Sequence, residues 1–130
     1  PAGERGFIMD LLEIYADARG ETHFRRTVMD FEVMNYVPPS SPVHITPDMA
    51  VTTARFLAAP VGWDKEFHAT PRRQLAVLLK GHATFAVSDG ETLAVGPGRV
   101  ILLNDKASKG HLTQVQDGED ALFLLIGLEG

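Results

Sequence analysis

Between Gly62 and Gly81 the chain reads GWDKEFHATPRRQLAVLLKG, and an imidazole, a hydroxyl, a guanidinium and a carboxamide recur within it at even spacing: His68, Thr70, Arg72 and Gln74. On an extended segment, residues separated by even numbers point to one face. Ala76 and Leu78 share that parity, so a core beneath Leu78 carries the polar set into its mouth. Such a set can hydrogen-bond a small polar molecule, and an inward Arg72 can clamp a carboxylate or phosphate through paired N–H bonds. The other assignment, with Arg72 and Arg73 at the surface or paired with Asp64 or Glu66, fits the same spacing. Pro71 cannot donate to a ladder, which predicts a bulge or an edge between His68 and Gln74. Trp63 is placed either to wall the mouth or to pack in a core or dimer contact.

Short strands must position these groups. Runs rich in apolar and β-branched residues cover Ala50 to Leu57, Gln74 to Lys80, His82 to Val87, Thr92 to Val95, Arg99 to Leu103, His111 to Gln116 and Ala121 to Leu128. Turn signals separate them at Asp89-Gly90, Gly96-Pro97-Gly98 and Asp117-Gly118, the pattern of an all-β sandwich or barrel. The last run is nearly all apolar and predicts a strand buried on both faces. Upstream, Thr27 to Val37 reads as strand and the proline-rich 37–43 as loop, while Asp10 to Ala18 fits either a helical turn or an irregular arm. The chain opens on Pro1 and its first methionine is Met9, so residues 1–9 are expected to be a leader or appended segment and residues 10–130 a single domain. No signal-peptide pattern is expected in that opening stretch.

The skeleton Gly62, His68, Thr70, Gln74, Gly81 resembles the first motif of the cupin superfamily, which places Gly, His, His, Glu and Gly at these intervals. Gly98 and His111 resemble the second motif, which supplies one further His from a later strand. The departures are Thr70 for the second His, Gln74 for the Glu, Asn104 for a Pro, a longer loop before His111, and Val115 for an Asn. Together the motifs span about residues 62 to 115, and the pairing of W-x4-H-x-x-P-R-R-Q with a later N-D-x4-G-H is similar to a subgroup of small single-domain cupins. The resemblance implies a double-stranded β-helix, a homodimer, and a metal set of His68, Gln74 and His111. A neutral amide in place of the carboxylate weakens the hold on a dication and leaves more positive charge for an anionic substrate.

Two readings of the pocket follow. In one, a divalent Zn, Ni, Mn or Fe polarises a substrate for isomerase, lyase, decarboxylase or dioxygenase chemistry. In the other, the pocket holds no metal and the protein is a ligand sensor or carrier. Thr70, Arg72, Trp63 and Asp105 are the expected substrate contacts, Asp105 either as a proton carrier or as a plain turn residue. A structural module pairing through its strand edges ranks last, because the mouth carries several polar groups. A net charge of -5 argues against nucleic acid, and no apolar stretch is long enough for a membrane helix. The absence of cysteine excludes disulfides and thiolate metal sites and makes a reducing cytoplasm the simplest setting.

Overall fold

The computed structural model describes residues 7–116 and 118–130. Eleven strands and no helix are found among them: β1 Ile8–Ala16, β2 Thr22–Asp30, β3 Glu32–Met34, β4 Val43–Ile45, β5 Val51–Ala59, β6 Gln74–Lys80, β7 Ala83–Val87, β8 Thr92–Val95, β9 Val100–Asn104, β10 His111–Val115 and β11 Ala121–Leu128. Accordingly, no helix is long and apolar enough to cross a membrane. The larger sheet has six strands in the order β2-β1-β9-β6-β11-β5, the smaller three in the order β10-β7-β8, and β3 and β4 pair separately. All pairings are antiparallel except that of β1 with β9.

From β6 onward the chain passes from the larger sheet to the β7–β8 hairpin of the smaller and then to β9, β10 and β11 in alternate sheets, and the main core lies between the two. Ile14, Leu78, Ile101 and Phe123 of the larger sheet meet Phe85, Val87, Val95 and Val115 of the smaller. A second cluster, Leu11, Leu75, Leu102 and Leu128, involves the larger sheet alone. Leu75 pairs with Leu102 in the register that alternates with Ala76 and Ile101, so the central strands carry apolar side chains on both faces. The result is an all-β domain of the sandwich or barrel kind.

Two upstream segments differ from expectation. Asp10 to Ala18 is largely strand: β1 begins at Ile8, inside the segment set apart as 1–9, and its two apolar faces hide the period that would have marked it. The strand expected at Thr27 to Val37 starts earlier, at Thr22, because a turn at residues 17–20 feeds it directly against β1, and it is broken at Phe31 and ends at Met34, because β3 leaves β1 to pair with β4. Asp17 Oδ1 fixes that turn by accepting the N–H groups of Arg19 at 2.8 Å and Glu21 at 3.1 Å. In β11, Ala121 and Phe123 are buried while Leu122 and Leu124 are only half-buried, so the double-sided burial is partial. Asp117 of the expected Asp117-Gly118 turn lies outside the described residues.

A clasp of charges ties the β1–β2 turn to the β7–β8 turn. His23 directs Nε2 at Asp17 Oδ2 (2.8 Å) and Nδ1 at Asp89 Oδ2 (2.7 Å), so both ring nitrogens donate when the imidazole is protonated. The bonds to Asp17 and then Asp89 raise the His23 pKa above its ordinary 6.5, against a smaller opposing effect of burial. A raised folded pKa adds stability that is complete below the unfolded value and is lost as pH rises through the folded one. Denaturant midpoints are therefore expected to fall from mildly acidic to mildly alkaline pH, with a smaller fall in His23→Gln. Equal slopes in both proteins would disprove the clasp.

Candidate functional site

The segment from Pro60 to Arg73 forms no continuous strand; its one ladder contact with the sheets is an isolated bridge in which His68 N donates to His111 O (3.0 Å) and His111 N donates to His68 O (2.9 Å). That reciprocal pair brings the two imidazoles side by side, with ring centroids 5.0 Å apart. Gly110 makes the approach feasible: its φ is +79°, and a Cβ there would lie 2.5 Å from Ala69 N and closer still to His68 C and O.

Each imidazole is held by a carboxylate. His111 is buried at the start of β10, and its Nδ1 lies 2.7 Å from Asp105 Oδ2. Asp105 is fully buried, its Oδ1 has no partner among the described residues, and its loop is pinned by Ser108 Oγ donating to Asp105 O at 2.6 Å. With Asp105 as a carboxylate the His111 proton sits on Nδ1, which leaves Nε2 as the nitrogen available to a ligand. His68 is 43 % exposed at its side chain and directs Nε2 at Asp64 Oδ2 (2.9 Å). The same oxygen accepts Thr113 N–H at 2.8 Å, so Asp64 anchors the loop to β10.

A cavity of about 70 Å³ lies between the sheets, lined by Leu57, Ala76, Phe85, Leu103, Phe123 and Leu125 and, as polar groups, by Gln74, His111 and Thr113. The parity expected for Gln74, Ala76 and Leu78 holds within β6, since Gln74 and Ala76 line this cavity and Leu78 lies in the core beyond. Gln74 Nε2 donates to Thr70 Oγ1 at 3.3 Å, leaving Oε1 without a protein donor among the described residues. Thr70 is buried and donates its own hydroxyl to Arg72 O at 2.7 Å, which closes the backbone around Pro71.

The expected site residues thus fall in three places. Gln74 and His111 meet in the cavity; Asp105 stands behind His111, and Thr70 behind Gln74. His68 and Trp63 face an open recess on the loop, with the Trp63 ring edge-on to His68 at 6.4 Å. Arg72 lines a recess of about 100 Å³ together with Thr53, Arg55, Pro71, Gln74 and Leu125, so Gln74 and Leu125 form a wall common to this recess and the cavity. Arg73 instead reaches Glu129 O at 3.4 Å. Sequence reasoning named Asp64 only as a partner for the arginines, and passed over Thr53 and Arg55. The polar parity of Thr53 and Arg55 ahead of the apolar Leu57 and Ala59 was the signal available for the last two.

As metal donors the groups are unequal. His111 has the carboxylate-backed imidazole typical of a ligating histidine. His68 spends Nε2 on Asp64, and its Nδ1 lies 3.5 Å from Ala69 O. Among the described residues no three of His, Cys, Asp and Glu converge on a common point suited to an ion. As folded, the set does not fit a metal without reorientation of His68.

Fold and site together define a small all-β domain with a cavity between two sheets, lined by three polar side chains and backed by one histidine–carboxylate pair. No family model matches the chain, and no curated protein is significantly similar to it.

Proposed function

We propose that the protein is a cupin, a double-stranded β-helix, that binds a small polar or anionic organic molecule in the mouth of its barrel without a metal. The observation that carries this reading is the cavity itself, in which Gln74, His111 and Thr113 interrupt an otherwise apolar wall. Few converging polar groups in an apolar pocket are the usual makeup of a small-molecule site. Its size restricts the occupant: about 70 Å³ is well below the roughly 300–1,000 Å³ of pockets for drug-sized ligands. Motif spacing and the repeated crossing of the chain between two sheets support the family assignment. The setting proposed is a reducing cytoplasm, consistent with the lack of cysteine. A homodimer is proposed as well, because Val33, Tyr36 and Val37 stand exposed on and beside the separate β3–β4 pair, where a second copy would cover them.

A metal-dependent enzyme is the second reading, favoured by the carboxylate behind His111. It requires His68 to leave Asp64 and join His111 and Gln74, where a divalent ion would supply Lewis acidity.

One set of measurements separates the outcomes. Amide and methyl NMR shifts are followed while small polar and anionic compounds are added, and metal content is assayed in protein purified without chelator. Shifts are expected at Gln74, His111 and Thr113, and Ala76→Ile, which fills the cavity, should abolish them while the domain stays folded. Failure of every compound to move those signals would reject the pocket. Stoichiometric metal that disappears in the His68→Ala/His111→Ala double variant would replace the first reading by the second.

A further inference from the structure

Strand β5 changes character along its inner face. Leu57, Arg55 and Thr53 lie opposite Phe123, Leu125 and Gly127 of β11, so the face that is apolar inside the barrel becomes cationic and then hydroxylic toward its mouth. Gln74 of β6 sits opposite Gly127 on the other side, which places Thr53, Gly127 and Gln74 on one rung.

Gly127 is what allows Arg72 to complete this rung. A Cβ there would collide with Thr53 Oγ1 and lie 3.1 Å from Arg72 Cδ, so the Arg72 stem occupies the space a side chain would take. Arg72 Nη1 then donates to Thr53 Oγ1 at 3.2 Å. Two guanidiniums, Arg55 and Arg72, thereby line one small recess, and among the described residues neither is salt-bridged to a carboxylate. Both residues are exposed, so their mutual repulsion is screened by solvent, and an anion between them adds an attraction to each. In a chain of net charge -5 such a pair runs against the overall field.

We infer that Arg55, Arg72 and Thr53 form a carboxylate site, and that the ligand is a short-chain carboxylic acid whose far end carries a second polar group. This rests on the proposed barrel pocket and deepens it. The carboxylate takes the planar guanidinium forks. A short apolar body passes Leu125, which is common to the recess and the cavity, and the polar end meets Gln74 Oε1 and His111 Nε2 inside. A carboxylate fits better than a phosphate, because the remaining walls add few donors: Pro71 has no N–H, the Leu125 side chain is apolar, and Gln74 already directs its Nε2 at Thr70.

The test is titration of the full chain with butyrate, 4-hydroxybutyrate, butyramide and inorganic phosphate, followed by calorimetry and NMR. 4-Hydroxybutyrate should bind tightest, butyramide at least about tenfold more weakly than butyrate, and acid affinity should fall with added salt. Arg55→Gln and Arg72→Gln should each weaken the acids by about tenfold and leave butyramide unaffected, since a hydrogen bond to a charged group accounts for roughly that factor. Butyramide binding as well as butyrate, with both arginine variants silent, would overturn the carboxylate site and leave the barrel pocket standing. Phosphate displacing the acids would overturn the ligand class. If none of the four probes shifts Gln74 or His111, the site and the pocket fall together.

Discussion

Gly110→Ala is expected to cost about 4 kcal/mol or more of folding stability and to separate the two imidazoles. The added methyl would point into the backbone of His68 and Ala69, where no rotamer change can relieve it. The bridge between His68 and His111 must then open, and with it goes the alignment of Asp64 under Thr113 N–H. Gly62→Ala is the control. Gly62 also has a positive φ, +80°, but a Cβ there meets nothing within 4 Å, so only the conformational penalty of about 1–2 kcal/mol applies. Urea denaturation of both variants, with NMR of the His68 and His111 rings, reads the difference. Equal losses in the two would mean that the close approach at Gly110 contributes nothing.

This dependence on Gly110 also explains how much of the site the sequence could reveal. Strand β6 was legible because its apolar run from Leu75 to Leu79 is unbroken and is bounded by Pro71 and Gly81. The turn at Asp89-Gly90 was legible because its residues suit the backbone they adopt, Gly90 having a φ of +100°. The placement of His68 was not, since it depends on a single bridge between a loop and β10 rather than on a run with a period. The orientation of the arginines was equally hidden. Arg72 and Arg73 are adjacent and chemically identical, and only the missing side chain at Gly127, more than fifty positions away, selects Arg72 for the recess. Asp105 looks like a turn residue in sequence because the His111 ring that it supports belongs to the next strand.

Glu13 was hidden for a different reason, and the second large effect is expected there. It stands as the one charge within LLEIY, where both neighbouring faces are apolar, and burial of its carboxylate by itself would raise the pKa. Bonds from Arg25, Thr27 and Asn104, with the Arg25 charge, outweigh that and hold the pKa at about 2 against an ordinary 4.5. Arg25 bonds both oxygens, Nε to Oε1 at 2.9 Å and Nη2 to Oε2 at 3.1 Å, while Asn104 Nδ2 joins Oε2 at 3.0 Å and links β9 to the pair. The Arg25 guanidinium also lies 4.0 Å from the centre of the Tyr15 ring. A depressed carboxylate pKa adds stability that is complete above the unfolded value and is lost as pH falls toward the folded one, here a window from 4.5 down to about 2. Glu13→Gln should therefore destabilise the domain by about 2 kcal/mol near neutrality, less than for a fully buried ion pair because Arg25 is half-exposed and can rehydrate. As pH falls through that window, wild type and variant should converge, because protonation removes the same charge that the substitution removes. Chemical denaturation across the acid range measures both curves. A gap that stays constant with pH would show that Glu13 acts through its packing alone and that its charge adds nothing to the larger sheet.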